Sequence, residues 1–206
     1  FATKLQAPKL EAHPVKSVAA ATRAAAENYF NDPRLPEQWH YKNIGKKAMA
    51  EINKENPDSV VLDIAIAGED INVEPAWDLT TGNKDVIVAV LDEGVDFTHE
   101  DLAANMWVNA KEVAGDGVEN DGNGFIDDVY GYNFVDDGAL SFDKEGDTGH
   151  GTHVAGTVAA VNNNGIGISG VAGGSGKGDG VRIMSCQIFS GDDNKITSTA
   201  QAAEYA

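Results

Sequence analysis

Two positions in this 206-residue chain have the residue type and the surroundings for proton-transfer chemistry. Asp92 directly follows the apolar, β-branched run Val86–Leu91 and precedes Glu93 and Gly94. In open parallel sheets, functional groups collect at the carboxyl ends of strands. An acid at such a tip is either a plain turn residue or a group presented to a site. His150 lies in "DTGHGTHVAGT", Asp147–Thr157, where a helix is expected to begin. An imidazole in the first helical turn feels the positive end of the dipole, which disfavours imidazolium unless a carboxylate compensates. Gly149 and Gly151 leave the ring open to an approaching molecule. Gly156, with Ala155 and Ala159, offers a small face for packing on a sheet. His153 follows three residues later on nearly the same helical face. The pair reads either as metal ligands or as a base beside a structural histidine. Zinc-binding helical pairs normally have i, i+4 spacing with an intervening Glu. Here the spacing is three and no acid intervenes, which favours the base.

The elements around these residues set where each is presented. Val86–Leu91 has the pattern of a central strand buried on both faces. "VRIMSCQIF" predicts a second buried strand, with Cys186 as a small hydrophobe inside it, and "VYGYNFV" a short one. His150–Val161 predicts a helix ended by "NNNG", and "ITSTAQAAEYA" opens another, with Ser198 and Gln201 in capping-box spacing. Residues 109 to 147 are rich in Asp, Asn and Gly and read as loop. Near the start, "SVAAATRAAAENYF" and "GKKAMAEINKENPD" have helix-forming composition. "NDPRLPEQWHYKNIG" between them reads as an extended, surface-hugging segment. Alternating strands and helices imply an α/β protein with a mostly parallel sheet.

Within the Asn-, Asp- and Gly-rich loop, "ENDGNGFIDD" places side-chain oxygens at Asp121, Asn123, Asp127 and Asp128, with glycines that permit tight wrapping. Such a set suits a hard cation such as calcium. It is not an EF-hand, because the twelfth-position glutamate is missing. The opposing reading is a solvated acidic loop.

"VIVAVLDEGVDFTHEDL" and "HGTHVAGT" together closely resemble the two segments that carry the catalytic aspartate and histidine of the subtilisin-like serine peptidases, the subtilases. The resemblance runs over residues 71 to 206. It implies a three-layer α/β fold, incomplete in this chain, with helices on both faces of the sheet. It implies a serine endopeptidase in which Asp92 orients His150 and His150 is general base for a serine. The family's serine, in Gly-Thr-Ser-x-Ala, and its oxyanion-hole asparagine would both lie beyond Ala206. "TSTA", around Ser198, lacks the leading glycine and lies too close to His150. The chain therefore reads as the N-terminal part of a peptidase domain, residues 31–206, preceded by a propeptide tail or N-terminal extension at 1–30. Its expected partners are a polypeptide substrate and the C-terminal remainder of the domain. Alone it would lack the nucleophile and expose an apolar sheet edge. Glu93 departs from the family's usual Thr or Ser, and is expected to point to solvent.

The resemblance further implies calcium as a structural ion. Asp101 matches a family ligand, and "VNNNGIGI" resembles the matching loop. There Asn163 would give a side-chain oxygen and Val161, Ile166 and Ile168 carbonyls. "FSGDDN" corresponds to an edge that pairs with extended substrate backbone, with Ser190 and Gly191 as contacts. An inactive calcium- or peptide-binding module and a metal hydrolase using His150 and His153 are the alternatives. Net charge is -18, which argues against nucleic acid, whose phosphates need clustered Lys and Arg. No run is long and apolar enough for a membrane span. Family resemblance, calcium-like loops and a single cysteine imply a secreted or cell-envelope bacterial protein.

Overall fold

The computed structural model describes residues 28–45, 65–142, 149–189 and 199–206. The two helix candidates near the start lie outside these, apart from their last or first residues. Strand β1, Ile87–Asp92, helix α2, His150–Ala159, and strand β3, Arg182–Gln187, form the centre. Strand β2 is Gly131–Asn133, α1 is the single turn Glu74–Trp77, and α3 is Thr199–Tyr205. The sheet is parallel, in the order β1-β3-β2. Its register pairs Ile87 with Arg182 and Asp92 with Gln187, and Gly131–Asn133 with Ser185–Gln187.

Strand alternation sorts the side chains onto two faces. Val88 and Val90 of β1 and Ile183 of β3 join Val95, Leu102, Met106, Ala155 and Ala159 under α2. Met184, Cys186 and Ile188 join Tyr132 and Phe134 on the opposite face, where Ala202 and Tyr205 of α3 pack. Helices thus cover both faces. Cys186 is fully buried, and burial pushes its thiol up to about 12, as suits a small hydrophobe rather than a thiolate. Gly131 is required by close approach: a Cβ there would meet the Ser185 carbonyl oxygen at 1.9 Å.

β3 is the most fully covered strand. Among the described residues β1 stands at one edge of the sheet, with Val90 buried and Val86 47% and Ile87 48% exposed.

The segment from Tyr29 onward is part of this body. Tyr29 and Phe30 pack with Trp77, and Leu35, Tyr41 and Val73 complete the cluster. Gln38 exchanges two hydrogen bonds with the backbone of Ser169, each 2.8 Å, and the Trp77 indole donates to the Val171 carbonyl. Asp32, fully buried, accepts from the Asn163 and Asn164 amides and the Ser169 hydroxyl. Buried carboxylates persist where donors surround them. Asp32 thereby fastens the extended segment to the loop that follows α2.

Candidate active site

Period-two alternation explains where Asp92 points. It continues the Val88, Val90 face, which is the face α2 covers. The first turn of α2 lies directly on the end of β1. Gly151 makes this possible: a Cβ at that position would stand 2.1 Å from the Gly94 carbonyl oxygen and 3.2 Å from Asp92 Cβ. Gly151 is thus needed chiefly for this contact, beyond any role in leaving the ring open. Gly149 precedes the helix at φ 79°, the left-handed region that glycine enters freely.

This packing brings His150 Nδ1 to 2.9 Å from both Asp92 carboxylate oxygens. Asp92 Oδ1 also accepts from the Glu93 amide at 2.9 Å. The Asp92 side chain is 14% exposed and that of His150 68%. The aspartate is therefore held under the ring, while the ring itself stays open to solvent. The hydrogen bond to Asp92 and the Asp92 charge, with a further contribution from Glu93, raise the pKa of His150 above the ordinary imidazole value.

Glu93 does not point to solvent, as the sequence led us to expect. It is 8% exposed, and its Oε1 accepts the backbone N–H of His150 at 2.5 Å. The first N–H groups of a helix have no intrahelical partner and attract a carboxylate. A turn at Gly94, φ 112°, follows Glu93 directly.

The other candidate positions fall into three groups. Ser190, Gly191 and Ser198 lie outside the described residues. Asp101 and the 161–168 loop do meet. Asp101 accepts from Asn164 Nδ2 at 2.8 Å and from the Ile168 amide at 3.0 Å, and its carbonyl accepts from the Val161 amide. Asn163 Oδ1 accepts from the Asn31 amide. Burial, and to a lesser degree the nearby Asp32 charge, raise the pKa of Asp101. In the acidic loop the gathered oxygens belong to Glu112, Glu119 and Asp121, within 4.8 Å of one another. Asn123 and Asp127 hold the loop itself, and Asp128 also ties it to α3. Asp127 accepts from the Gly115 and Gly117 amides, and Asn123 Oδ1 accepts from the Phe125 amide. Fully buried Asp128 accepts from Asn109, Asn123 and the Tyr205 hydroxyl. A loop of this length must satisfy its own donors, and nearby carboxylates are recruited first. Glu112 was missed because it precedes the glycine-spaced stretch. Asp32 was missed because an Asn-Asp-Pro turn gives no sign of burial. Among the described residues, no group of three or more possible metal ligands includes His150 or His153.

The chain is thus an α/β protein with a carboxylate at the carboxyl end of a parallel strand bonded to an imidazole at a helix mouth. The sequence pattern of the Subtilase family matches residues 83–206, and the chain belongs to that family. It is 50% identical over 127 residues to Subtilisin-like protease 1 of Plasmodium vivax, covering 60% of this chain and 18% of that protein. It is 37% identical over 106 residues to the halolysin-like extracellular serine protease Nep of Natrialba magadii, covering 52% of this chain and 16% of that one. With the PC3-like endoprotease variant B of Hydra vulgaris it shares 31% over 165 residues, 80% of this chain and 18% of that one. The chain therefore spans under a fifth of each of these relatives. These matches do not single out a bacterial source. The fold is that of the Aeromonas sobria serine protease, solved in complex with a chaperone. The match to that structure has a TM-score of 0.54 and 24% identity, and covers 86% of this chain and 23% of that one.

Proposed function

We propose that this chain is the N-terminal part of the catalytic domain of a serine endopeptidase, in which Asp92 and His150 are two members of an Asp-His-Ser triad. The observation that carries this reading is the 2.9 Å contact of His150 Nδ1 with the Asp92 carboxylate. With Nδ1 held as donor, the other ring nitrogen is the base. It would take the proton of a serine hydroxyl as that oxygen attacks the scissile carbonyl, and Asp92 would stabilise the imidazolium formed. The same proton would then pass to the leaving amine, and water would release the acyl group by the reverse sequence. The serine belongs to chain beyond Ala206. Ser190 and Gly191 are the candidates for contact with an extended peptide substrate. The test is a fluorophosphonate probe on the full-length gene product. Labelling that disappears in His150→Ala supports the peptidase; no labelling of the wild type favours a binding module.

The same reading gives the exposed edge of β1 an occupant, namely the remainder of the domain. Val86 and Ile87 are each about half exposed on an apolar strand. We expect the 206-residue chain expressed alone to aggregate or to melt without cooperativity. A monomeric species with a single sharp thermal transition would contradict this.

Calcium fits the Asp101 region. The side-chain donors are hard oxygens, Asp101 and Asp32 are carboxylates close enough to influence each other, and Gly167 leaves Asp101 room that a Cβ would fill at 2.4 Å from Oδ2. Asp101, Asn163 and the carbonyls of Val161, Ile166 and Ile168 would hold the ion. Bound there, calcium would supply the positive charge these carboxylates lack and fasten the loop after α2. Asp121, with Glu112 and Glu119, would form a second locus. We expect a calcium chelator to lower the melting temperature of the full-length enzyme by about 5–10 °C, from roughly 2.7 kcal/mol of linkage at a hundredfold excess over Kd. Unchanged melting in chelator would remove calcium from the account.

Among the described residues, no helix is long and apolar enough to cross a membrane. Likeness to an extracellular protease supports a secreted or cell-envelope location. Residues 1–30 serve as a propeptide tail or N-terminal extension and residues 31–206 as the first part of the peptidase domain; Tyr29 and Phe30 already pack against Trp77.

A further inference from the structure

We infer that Glu93 is a positioning residue of this site: it caps the helix that carries His150 and, together with Asp92, clamps that one residue at two points. The inference rests on the peptidase reading above. Asp92 holds the imidazole through Nδ1, and Glu93 holds the main chain of the same residue through its N–H. The two acids are consecutive, and the Glu93 amide donates to Asp92 Oδ1, so the clamp is one rigid strand tip.

Three observations support a built device. First, the helix has no side-chain cap of its own, because Gly149 stands at the capping position. A carboxylate from another element supplies what a Ser, Thr or Asp would normally provide. Second, Glu93 is buried although glutamate is ordinarily exposed, and burying a carboxylate is unfavourable without donors. Third, Gly151 lets the helix mouth close onto Gly94, which brings the His150 N–H within reach of Glu93.

The clamp has an electrostatic side. Among the described residues, the charged groups that raise His150 are Asp92 and Glu93, both from the β1 tip. His153, on the same helix, acts on His40 instead. Glu93 therefore holds the imidazole protonated to higher pH than Asp92 alone would. A general base works only when neutral, so Glu93 moves the acid limb of activity upward in pH.

The experiment compares Glu93→Gln and Glu93→Ala with wild type in the full-length enzyme. It measures kcat and KM across pH on a peptide substrate, and the titration of His150 by NMR. Gln keeps an oxygen acceptor for the His150 N–H but removes the charge; Ala removes both. Both variants are expected to move the acid limb and the His150 titration to lower pH. Ala is also expected to lower kcat by about tenfold or more with KM little changed, since a displaced base loses reactive geometry. Gln is expected to retain most of the rate that Ala loses. A His150 titration at the wild-type pH in Glu93→Gln would overturn the inference, as would a Glu93→Ala enzyme with wild-type kcat. If the wild type neither cleaves peptides nor reacts with a fluorophosphonate, the peptidase reading fails. The NMR titration would still judge Glu93 separately.

Discussion

Replacing His150 by alanine in the full-length enzyme is expected to lower kcat/KM by about 10⁴- to 10⁶-fold, with KM changed far less. The imidazole is the group that would carry the proton both from the nucleophile and to the leaving amine. With it gone, the serine hydroxyl attacks at its unactivated rate. Binding of the peptide and stabilisation of the oxyanion would remain, so a residual rate above that in water is expected. The structural effect should be small. The His150 side chain is largely exposed, and its N–H, which Glu93 holds, is unaffected by the change. The measurement is steady-state kinetics on a peptide substrate, with circular dichroism and melting as controls. A variant that folds normally and retains kcat/KM within tenfold of wild type would remove His150 from the mechanism. Loss of activity accompanied by loss of folding would point to a structural role instead.

Asp92→Asn carries the next largest effect, a fall in kcat of about 10⁴-fold. The two side chains have nearly the same shape, so the tip of β1 and its packing under α2 should persist. Two things change. An amide can donate to Nδ1, which allows the ring to place its proton on the wrong nitrogen. The negative charge that supports imidazolium also disappears. Asp92 is the first cause of the raised His150 pKa, through its hydrogen bond and then its charge. The sign follows directly. In wild type, activity falls with decreasing pH as His150 is protonated, and that limb lies above the range of an unperturbed imidazole. In Asp92→Asn the limb moves to lower pH while the plateau drops. A pH–rate profile of kcat/KM measures both. An unchanged acid limb would mean that the observed ionisation belongs to another group.

Comparison of sequence with structure separates two kinds of information. The β1 and β3 strands, the α2 helix and the small-residue face of that helix were legible, because period-two and period-3.6 patterns are local. The meeting of Asp92 with His150 was legible only through the resemblance of their two segments to the subtilases, since local patterns place each residue at the end of an element without saying that the ends meet. The direction of Glu93 was not legible. An acid after a strand-ending acid normally turns to water. Only the helix end delivered by close packing at Gly151 offers it a better partner. The Asp32 anchor and the Asp128 hub escaped for the same reason, since their donors come from residues distant in the chain, Asn163, Ser169 and Tyr205. The acidic loop shows how composition and function part. Its oxygens were recognisable, but Asp127 accepts from the loop's own Gly115 amide, Asp128 accepts from Tyr205 of α3, and the gathered set joins Glu112 and Glu119 to Asp121.

The sequence by itself therefore determined the elements, the two residues at their functional ends and the family to which they belong. Local patterning specifies a strand, a helix and the chemistry at each terminus without knowledge of the rest. Tertiary structure alone decided which acids turn inward and which donors they meet. Those outcomes depend on which donors and apolar surfaces distant segments bring near, and burial assigns partners by proximity rather than by order along the chain.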